Sequence, residues 1–290
     1  MLDCIIIGNG TAAVSAALTL QANAKTFIVI GSSPISEKIV KAEQINNYPG
    51  LSKVTGEGFA KALLDQLAEA NIEVQKATVS GVYPLQNKFG VATQQGGYYE
   101  AKTVLLASGV QSIKELDGEL EFMGRGVSYC ATCDGFLYKD KTIAVLCTSK
   151  RLEEEITLLS SFAKKVYLMA MYKPVSVQAD NMEMLKALPK KLVGEKRLQS
   201  LQFAKPLADG QTELAVDGMF ILREGYSPAV LLDNLQMQDG HVAVDRHMRT
   251  NIAGLFAAGD CTGKPYQYAK AVGEGNVAAH AVLEYLRENA

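Results

Sequence analysis

Apolar residues along this chain come in short unbroken runs that end in small-residue turns. Residues 4–7 form the first run, which stops at Gly8-Asn9-Gly10-Thr11-Ala12-Ala13. A helical stretch over 12–22 and a second apolar run over 26–30 follow. This order predicts a strand–helix–strand unit. The pattern recurs further on. Residues 142–147 read as a strand, 152–163 as a helix with Glu153, Glu154 and Glu155 in its first turn, and 166–169 as a strand. Two more apolar runs end in turns, one at Ala107-Ser108-Gly109 and one at Gly259-Asp260. The chain is expected to be α/β, built from such units.

The turns differ in what they admit. At the first, Gly8 allows a tight turn, Gly10 lets a pyrophosphate approach the backbone, and Ala13 keeps helix and strand close. The helix N-terminus at Thr11 and Ala12 faces the anion. The acidic residue that would hold an NAD ribose is replaced by Gly31-Ser32-Ser33, so Ser32 or the backbone must substitute and NAD is disfavoured. At the last turn Gly259 permits close approach and the Asp260 carboxylate can accept a hydroxyl from a sugar chain. The second crossover has no glycine: it reads Cys147-Thr148-Ser149-Lys150-Arg151-Leu152. Side chains at 148 and 149 should obstruct a pyrophosphate, and Leu152 should push the helix off the strand.

Size and charge narrow the classes. With 290 residues and 48% hydrophobic content, the chain can build two domains with real cores. A net charge of −2 argues against nucleic-acid binding, and no apolar run is long enough to cross a membrane. The N-terminus enters a strand at once, without a basic leader region, so no signal peptide is expected. Five cysteines, an odd number, argue against a secreted disulfide framework and for a cytoplasmic protein. Charge is uneven: residues 139–205 hold 13 Lys and Arg against 7 Asp and Glu, a surplus of +6 that leaves −8 for the rest. Such a segment is either a solvated surface or a docking face for an acidic protein.

The chemistry concentrates in Cys130-Ala131-Thr132-Cys133-Asp134-Gly135. Cysteines at this spacing can meet in a short ring, and a carboxylate beside them can move the proton that disulfide exchange requires. Half a zinc site is the other reading. Zinc needs four ligands, however, and Cys4, Cys147, Cys261 and the three histidines are scattered. A redox pair is therefore expected, with no metal.

Together these motifs resemble the low-molecular-weight flavin thioredoxin reductases over nearly the whole chain. The match includes Gly8-x-Gly10-x-x-Ala13, Asn46-Asn47-Tyr48-Pro49-Gly50, Ala107-Ser108-Gly109, the hexapeptide with its lead-in Gly126-Val127-Ser128-Tyr129, and Phe256-Ala257-Ala258-Gly259-Asp260. The resemblance implies two Rossmann-like three-layer domains. A discontinuous FAD domain over 1–113 and 226–290 would carry an inserted, degenerate pyridine-nucleotide domain over 114–225 that holds the disulfide. It also implies a homodimer, thioredoxin as partner, and hinges near 114–118 and 223–225. FAD contacts would come from Gly8, Gly10, Thr11, Ala12, Ser32, Lys38, Asn47, Ala107, Ser108, Gly109, Gly259, Asp260, Gln267 and Tyr268. By resemblance Cys133 faces the flavin and Cys130 attacks thioredoxin. Asp134 acts as the acid–base group, provided burial raises its pKa.

Two departures matter. The family's second glycine fingerprint and its His-Arg-Arg cluster for NADPH are absent, which resembles the subgroup fed by ferredoxin. Ser36-Glu37-Lys38 stands where the family usually has Gly-Gly-Gln. The expected function is reduction of thioredoxin by ferredoxin through FAD and the Cys130–Cys133 disulfide. Another donor, including atypical NADPH use, and another disulfide substrate are the alternatives.

Overall fold

The computed structural model describes residues 1–110, 116–223 and 228–289. The chain divides into two compact units, one of residues 1–93, 97–111 and 225–290, the other of 94–96 and 112–224.

The first unit is organised by strand Leu2–Ile7. It pairs in parallel with Phe27–Gly31 on one side and with Tyr98–Leu106 on the other. Cys4, Ile5 and Ile6 are all 0% exposed, so both faces of this strand are covered, as a central parallel strand requires. Strand Tyr98–Leu106 divides its free edge. Its first half pairs antiparallel with Phe89–Thr93, and its last residues pair in parallel with Leu255–Ala257. The ends of Leu2–Ile7, Phe27–Gly31, Tyr98–Leu106 and Leu255–Ala257 therefore converge, which is where open α/β sheets bind ligands. Helices Thr11–Ala22 and Tyr268–Glu288 cross in tight contact. A Cβ on Gly275 would lie 2.2 Å from the Ala12 carbonyl oxygen, so glycine is required there.

The second unit repeats the layout on a smaller scale. Its parallel sheet runs Met182–Met184, Lys165–Ala170, Thr142–Cys147, Gly218–Leu222, Val127–Ser128. Helix Glu153–Phe162 packs on it through Ile156 and Leu159, both 0% exposed. An antiparallel meander of Pro189–Gly194, Leu198–Phe203 and Glu213–Ala215 is added. The helix begins later than the sequence pattern suggests, because Lys150–Leu152 first makes a 3-10 turn. Both units thus have the expected α/β, Rossmann-like architecture. Of the anticipated hinge positions, 114, 115, 224 and 225 lie outside the described residues. Gly118 is held by packing: its φ is +85°, and a Cβ there would meet the Leu192 carbonyl oxygen at 2.8 Å. Among the described residues no helix is long and apolar enough to cross a membrane.

Candidate functional site

In the first unit four turns are drawn together at the sheet's carboxyl edge. Gly8 has φ +133°, and a Cβ there would sit 2.1 Å from the Ala107 carbonyl oxygen. The first and third turns thus touch backbone to backbone only because Gly8 has no side chain. Gly259, at φ +86°, stands over Ala12, whose Cβ would lie 3.0 Å from an added Cβ. Asn9 bridges to the second turn: its Nδ2 donates to the Ser33 carbonyl (2.8 Å) and to Ser33 Oγ (3.0 Å). Ser32 is half-buried beside this contact.

The cradle so formed fits a dinucleotide. An added Cβ on Gly10 meets nothing within 4 Å, so the space above the turn is open. Helix Thr11–Ala22 has no side-chain cap and no acidic residue in its first turn, which leaves its N–H groups and positive dipole end for an anion. Ser108 Oγ is buried without a hydrogen-bond partner, poised for a ligand polar group. Gly109 takes φ +68° at the same turn.

Asp260 sits at the opposite wall. Burial pushes its carboxyl above the ordinary value, opposed by the charges of Lys270 and Lys38. The turn around it is clamped by a pair the sequence reading missed. Lys270 Nζ donates to the carbonyls of Gly259 (2.9 Å) and Gly263 (2.7 Å), and Glu274 accepts from the Gly259 N–H (2.9 Å). Lys270 and Glu274 also pair with each other at 3.1 Å. Their Lys-x3-Glu spacing just after Gly-Asp was the available signal. Lys38 is exposed and its Nζ donates to the Val110 carbonyl. Asn47 Nδ2 donates to Gln267 Oε1. Tyr268 packs edge-on against Phe59 at 5.6 Å, as a core side chain, while Tyr266 is exposed and touches His241 Nε2 at 2.7 Å.

The second unit holds the sulfur pair. Cys130 and Cys133 are bonded, S–S 2.06 Å. Strand Val127–Ser128 delivers Cys130, and the single turn Ala131–Asp134 brings Cys133 back to it. The Cys133 N–H donates to Cys130 Sγ at 3.1 Å. Cys130 is 5% exposed, whereas Cys133 is exposed. Ser128, which the sequence reading quoted in the lead-in without giving it a role, organises the polar groups. Its Oγ accepts from the Cys130 N–H (3.1 Å) and donates to Asp134 Oδ2 (2.7 Å). Asp134 is therefore engaged by a side-chain hydroxyl. Thr132 Oγ1 lies 3.3 Å from Cys130 Sγ and donates to the Gln94 carbonyl (2.7 Å).

Below the turn, burial pushes the Glu155 carboxyl up to about 7, opposed by the nearby Ala131 N–H. Cys4, Cys147 and Cys261 are buried free thiols. Burial pushes Cys147 and Cys261 up to about 11 and Cys4 up to about 12. All three stay protonated and inert near neutrality, as expected for small core residues. Among the described residues no group of three or more His, Cys, Asp or Glu is placed to hold a metal.

This pairing of a nucleotide cradle with a dithiol turn has relatives. A family model for pyridine nucleotide-disulphide oxidoreductases matches residues 2–275. The thioredoxin reductase of Helicobacter pylori is 33% identical, with 100% of each chain covered. Among solved structures, a ferredoxin-flavin thioredoxin reductase from Clostridium acetobutylicum is 39% identical, covering 99% of this chain and 98% of that one, with a TM-score of 0.87. The atypical thioredoxin reductase TRi from Desulfovibrio vulgaris Hildenborough is 28% identical over 98% of both chains, with a TM-score of 0.70. The cradle and the sulfur pair thus sit in a framework these proteins share, and the chain belongs to the pyridine nucleotide-disulphide oxidoreductase family, among the FAD-containing thioredoxin reductases.

Proposed function

We propose that this chain reduces thioredoxin with electrons from reduced ferredoxin, through FAD and the Cys130–Cys133 disulfide, and does not use NADPH. The observation that carries this reading is the second crossover turn. Part of its backbone is already engaged: the Thr148 N–H donates to the Leu222 carbonyl at 3.0 Å, and Ser149 Oγ accepts from the Arg151 N–H at 3.3 Å. The Cys147 thiol donates to the Ser149 carbonyl at 3.3 Å, and Leu152 is buried at 6% exposure. A pyrophosphate needs free N–H groups and glycine-like room above them, whereas here the Thr148 and Arg151 N–H groups are engaged and side chains stand at 148 and 149. The similar C. acetobutylicum structure, described as a ferredoxin-flavin enzyme, supports the same donor.

Bound FAD supplies a two-electron store between a one-electron donor and the disulfide. The first unit's residues would hold it: Gly8, Gly10, Thr11, Ala12 and Ser32 at the first two turns, and Ala107, Ser108 and Gly109 at the third. Gly259, Asp260, Lys38, Asn47, Gln267 and Tyr268 would complete the site. In the second unit Cys133 is assigned to face the flavin and Cys130 to attack the substrate disulfide. Because Cys130 is 5% exposed, that attack requires the turn to present Cys130 after the S–S bond opens. Asp134 would move the exchange proton, steadied by Ser128. Phe136 and Leu137, 61% and 53% exposed directly after the turn, offer an apolar face for a protein substrate. The proposal includes a homodimer.

The cationic middle segment fits an acidic electron carrier. Lys164, Lys190 and Lys191 are exposed. Lys165 is less available than its sequence suggests, since it pairs with Glu183 at 2.9 Å. Anaerobic titration of the holoenzyme tests the donor: reduced ferredoxin should bleach the flavin band and NADPH should not. Bleaching by stoichiometric NADPH would overturn the reading.

A further inference from the structure

Glu155 opens the helix Glu153–Phe162 together with two other acids, and from sequence all three look like solvated partners of the helix dipole. The structure separates them. Glu154 is exposed. Glu153 accepts from the Ser176 N–H at 2.8 Å. Glu155 instead lies on the side of its helix that packs under the redox turn, where a Cβ on Gly135 would come 3.2 Å from Leu159 Cδ2, and the N–H of Ala131, the residue between Cys130 and Thr132, favours its charged form. Its Oε2 is buried and has no hydrogen-bond partner. A carboxylate oxygen left bare in this way is costly, whereas a protonated or newly hydrogen-bonded one is not. Asp134, assigned the exchange proton, already accepts from Ser128 Oγ at 2.7 Å, so Glu155 would be a second carboxyl at the turn. The chemistry at the neighbouring disulfide creates a negative sulfur and must dispose of protons.

We propose that Glu155 is a positioning residue of the Cys130–Cys133 couple, which holds the Ala131 peptide and takes up a proton as the disulfide opens. Two electrons enter the S–S bond and break it. One sulfur takes a proton and becomes a thiol, the other remains a thiolate, and a second proton goes to the Glu155 carboxylate. When a substrate disulfide reoxidises the pair, the S–S bond re-forms, the two electrons leave to the substrate sulfurs, and both protons follow. The nascent thiolate favours the protonated carboxyl because like charges in one partly buried site disfavour each other. Beside Ala131 on the redox turn stand Cys130, Cys133 and Asp134, and the Glu155 charge also reaches Cys147 on strand Thr142–Cys147. Glu153 stands on its own helix, and Tyr172 faces Cys147 and Glu153. Cys147 stays a neutral thiol, so the couple is the only neighbour among these whose charge changes with the redox state.

The inference rests on Cys130–Cys133 as the exchanging pair, but its test needs no physiological donor. The holoenzyme is reduced with dithiothreitol, freed of reductant, and alkylated with iodoacetamide across pH. Wild type should show two overlapping ionisations, because thiol and carboxyl titrate as a pair. E155Q, which keeps an oxygen for the Ala131 N–H, should show a single ionisation and react about three- to tenfold faster near pH 8. E153Q should follow wild type. An infrared difference spectrum of wild-type reduction at about pH 7.5 should gain a carboxylic-acid C=O stretch as Glu155 protonates. Superimposable profiles for E155Q and wild type, an equal change in E153Q, or no gained carboxyl band in wild type would each overturn the proposal. A wrong assignment of ferredoxin would change none of these readings.

Discussion

Arg223 and Glu119, 104 residues apart, form a two-pronged ion pair: Nη1 to Oε1 and Nη2 to Oε2, each 2.9 Å. Their side chains are 3% and 0% exposed. They stand where the chain enters and leaves the second unit. Glu119 also accepts from the Leu116 N–H (2.8 Å) and from Tyr129 Oη (3.0 Å), and Tyr129 directly precedes Cys130. One carboxylate thus ties Leu116 and Arg223 to the approach to the sulfur pair. Removing one partner leaves a buried charge uncompensated, so R223M should destabilise the protein by about 3–5 kcal/mol. E119L/R223L should recover much of that loss. Urea unfolding of the two variants decides; a double variant as unstable as R223M would contradict this.

Asp134 is the carboxylate nearest the sulfurs in sequence, and Ser128 Oγ holds it at 2.7 Å. D134N should lower turnover with thioredoxin by about 100-fold or more, the range for losing a general acid–base group, and S128A by much less. Donor-driven flavin bleaching should be unaffected in both. Steady-state rates beside the flavin spectrum separate the two steps.

Glu155 gives stability a pH signature. Its folded value, about 7, lies above the ordinary 4.5, so the native state binds the proton more tightly than the unfolded state does. Stability is therefore full below about pH 4.5, declines as pH rises towards 7, and levels off above it. Allowing for partial solvent screening, the decline amounts to about 2 kcal/mol. E155Q should lack this component. Unfolding midpoints of both proteins at acid and mildly alkaline pH measure it, and parallel curves would refute it.

The exposed Lys190 and Lys191 should steer an acidic donor by long-range attraction. K190E/K191E should raise the KM for ferredoxin several-fold, and the wild-type rate should fall as salt shortens the screening length to about 10 Å at 0.1 M. Turnover with thioredoxin reduced by the pre-reduced enzyme should not change. A salt-independent KM would remove this segment from the docking face.

How much of this was legible beforehand depended on sequence distance. The turn at Gly8 could be read because strand, glycines and helix are contiguous, and the glycine-free crossover at Cys147–Leu152 could be read for the same reason. The hexapeptide announced its own chemistry. Glu119 and Arg223 could not be paired, because only the folded second unit brings residues so distant together. Glu155 was visible as one of three acids, but its burial depends on helix rotation against the redox turn, which composition does not encode. The splitting of Tyr98–Leu106 between two partners on one edge, and the meander from Pro189 to Ala215, rest on tertiary pairing that no local pattern marked.

The most direct test counts thiols. Anaerobic holoenzyme is mixed with reduced ferredoxin or with NADPH, quenched with an alkylating agent, and weighed peptide by peptide at Cys130 and Cys133. The account predicts label on both cysteines after ferredoxin and on neither after NADPH. Equal labelling after NADPH, or none after ferredoxin, would contradict it.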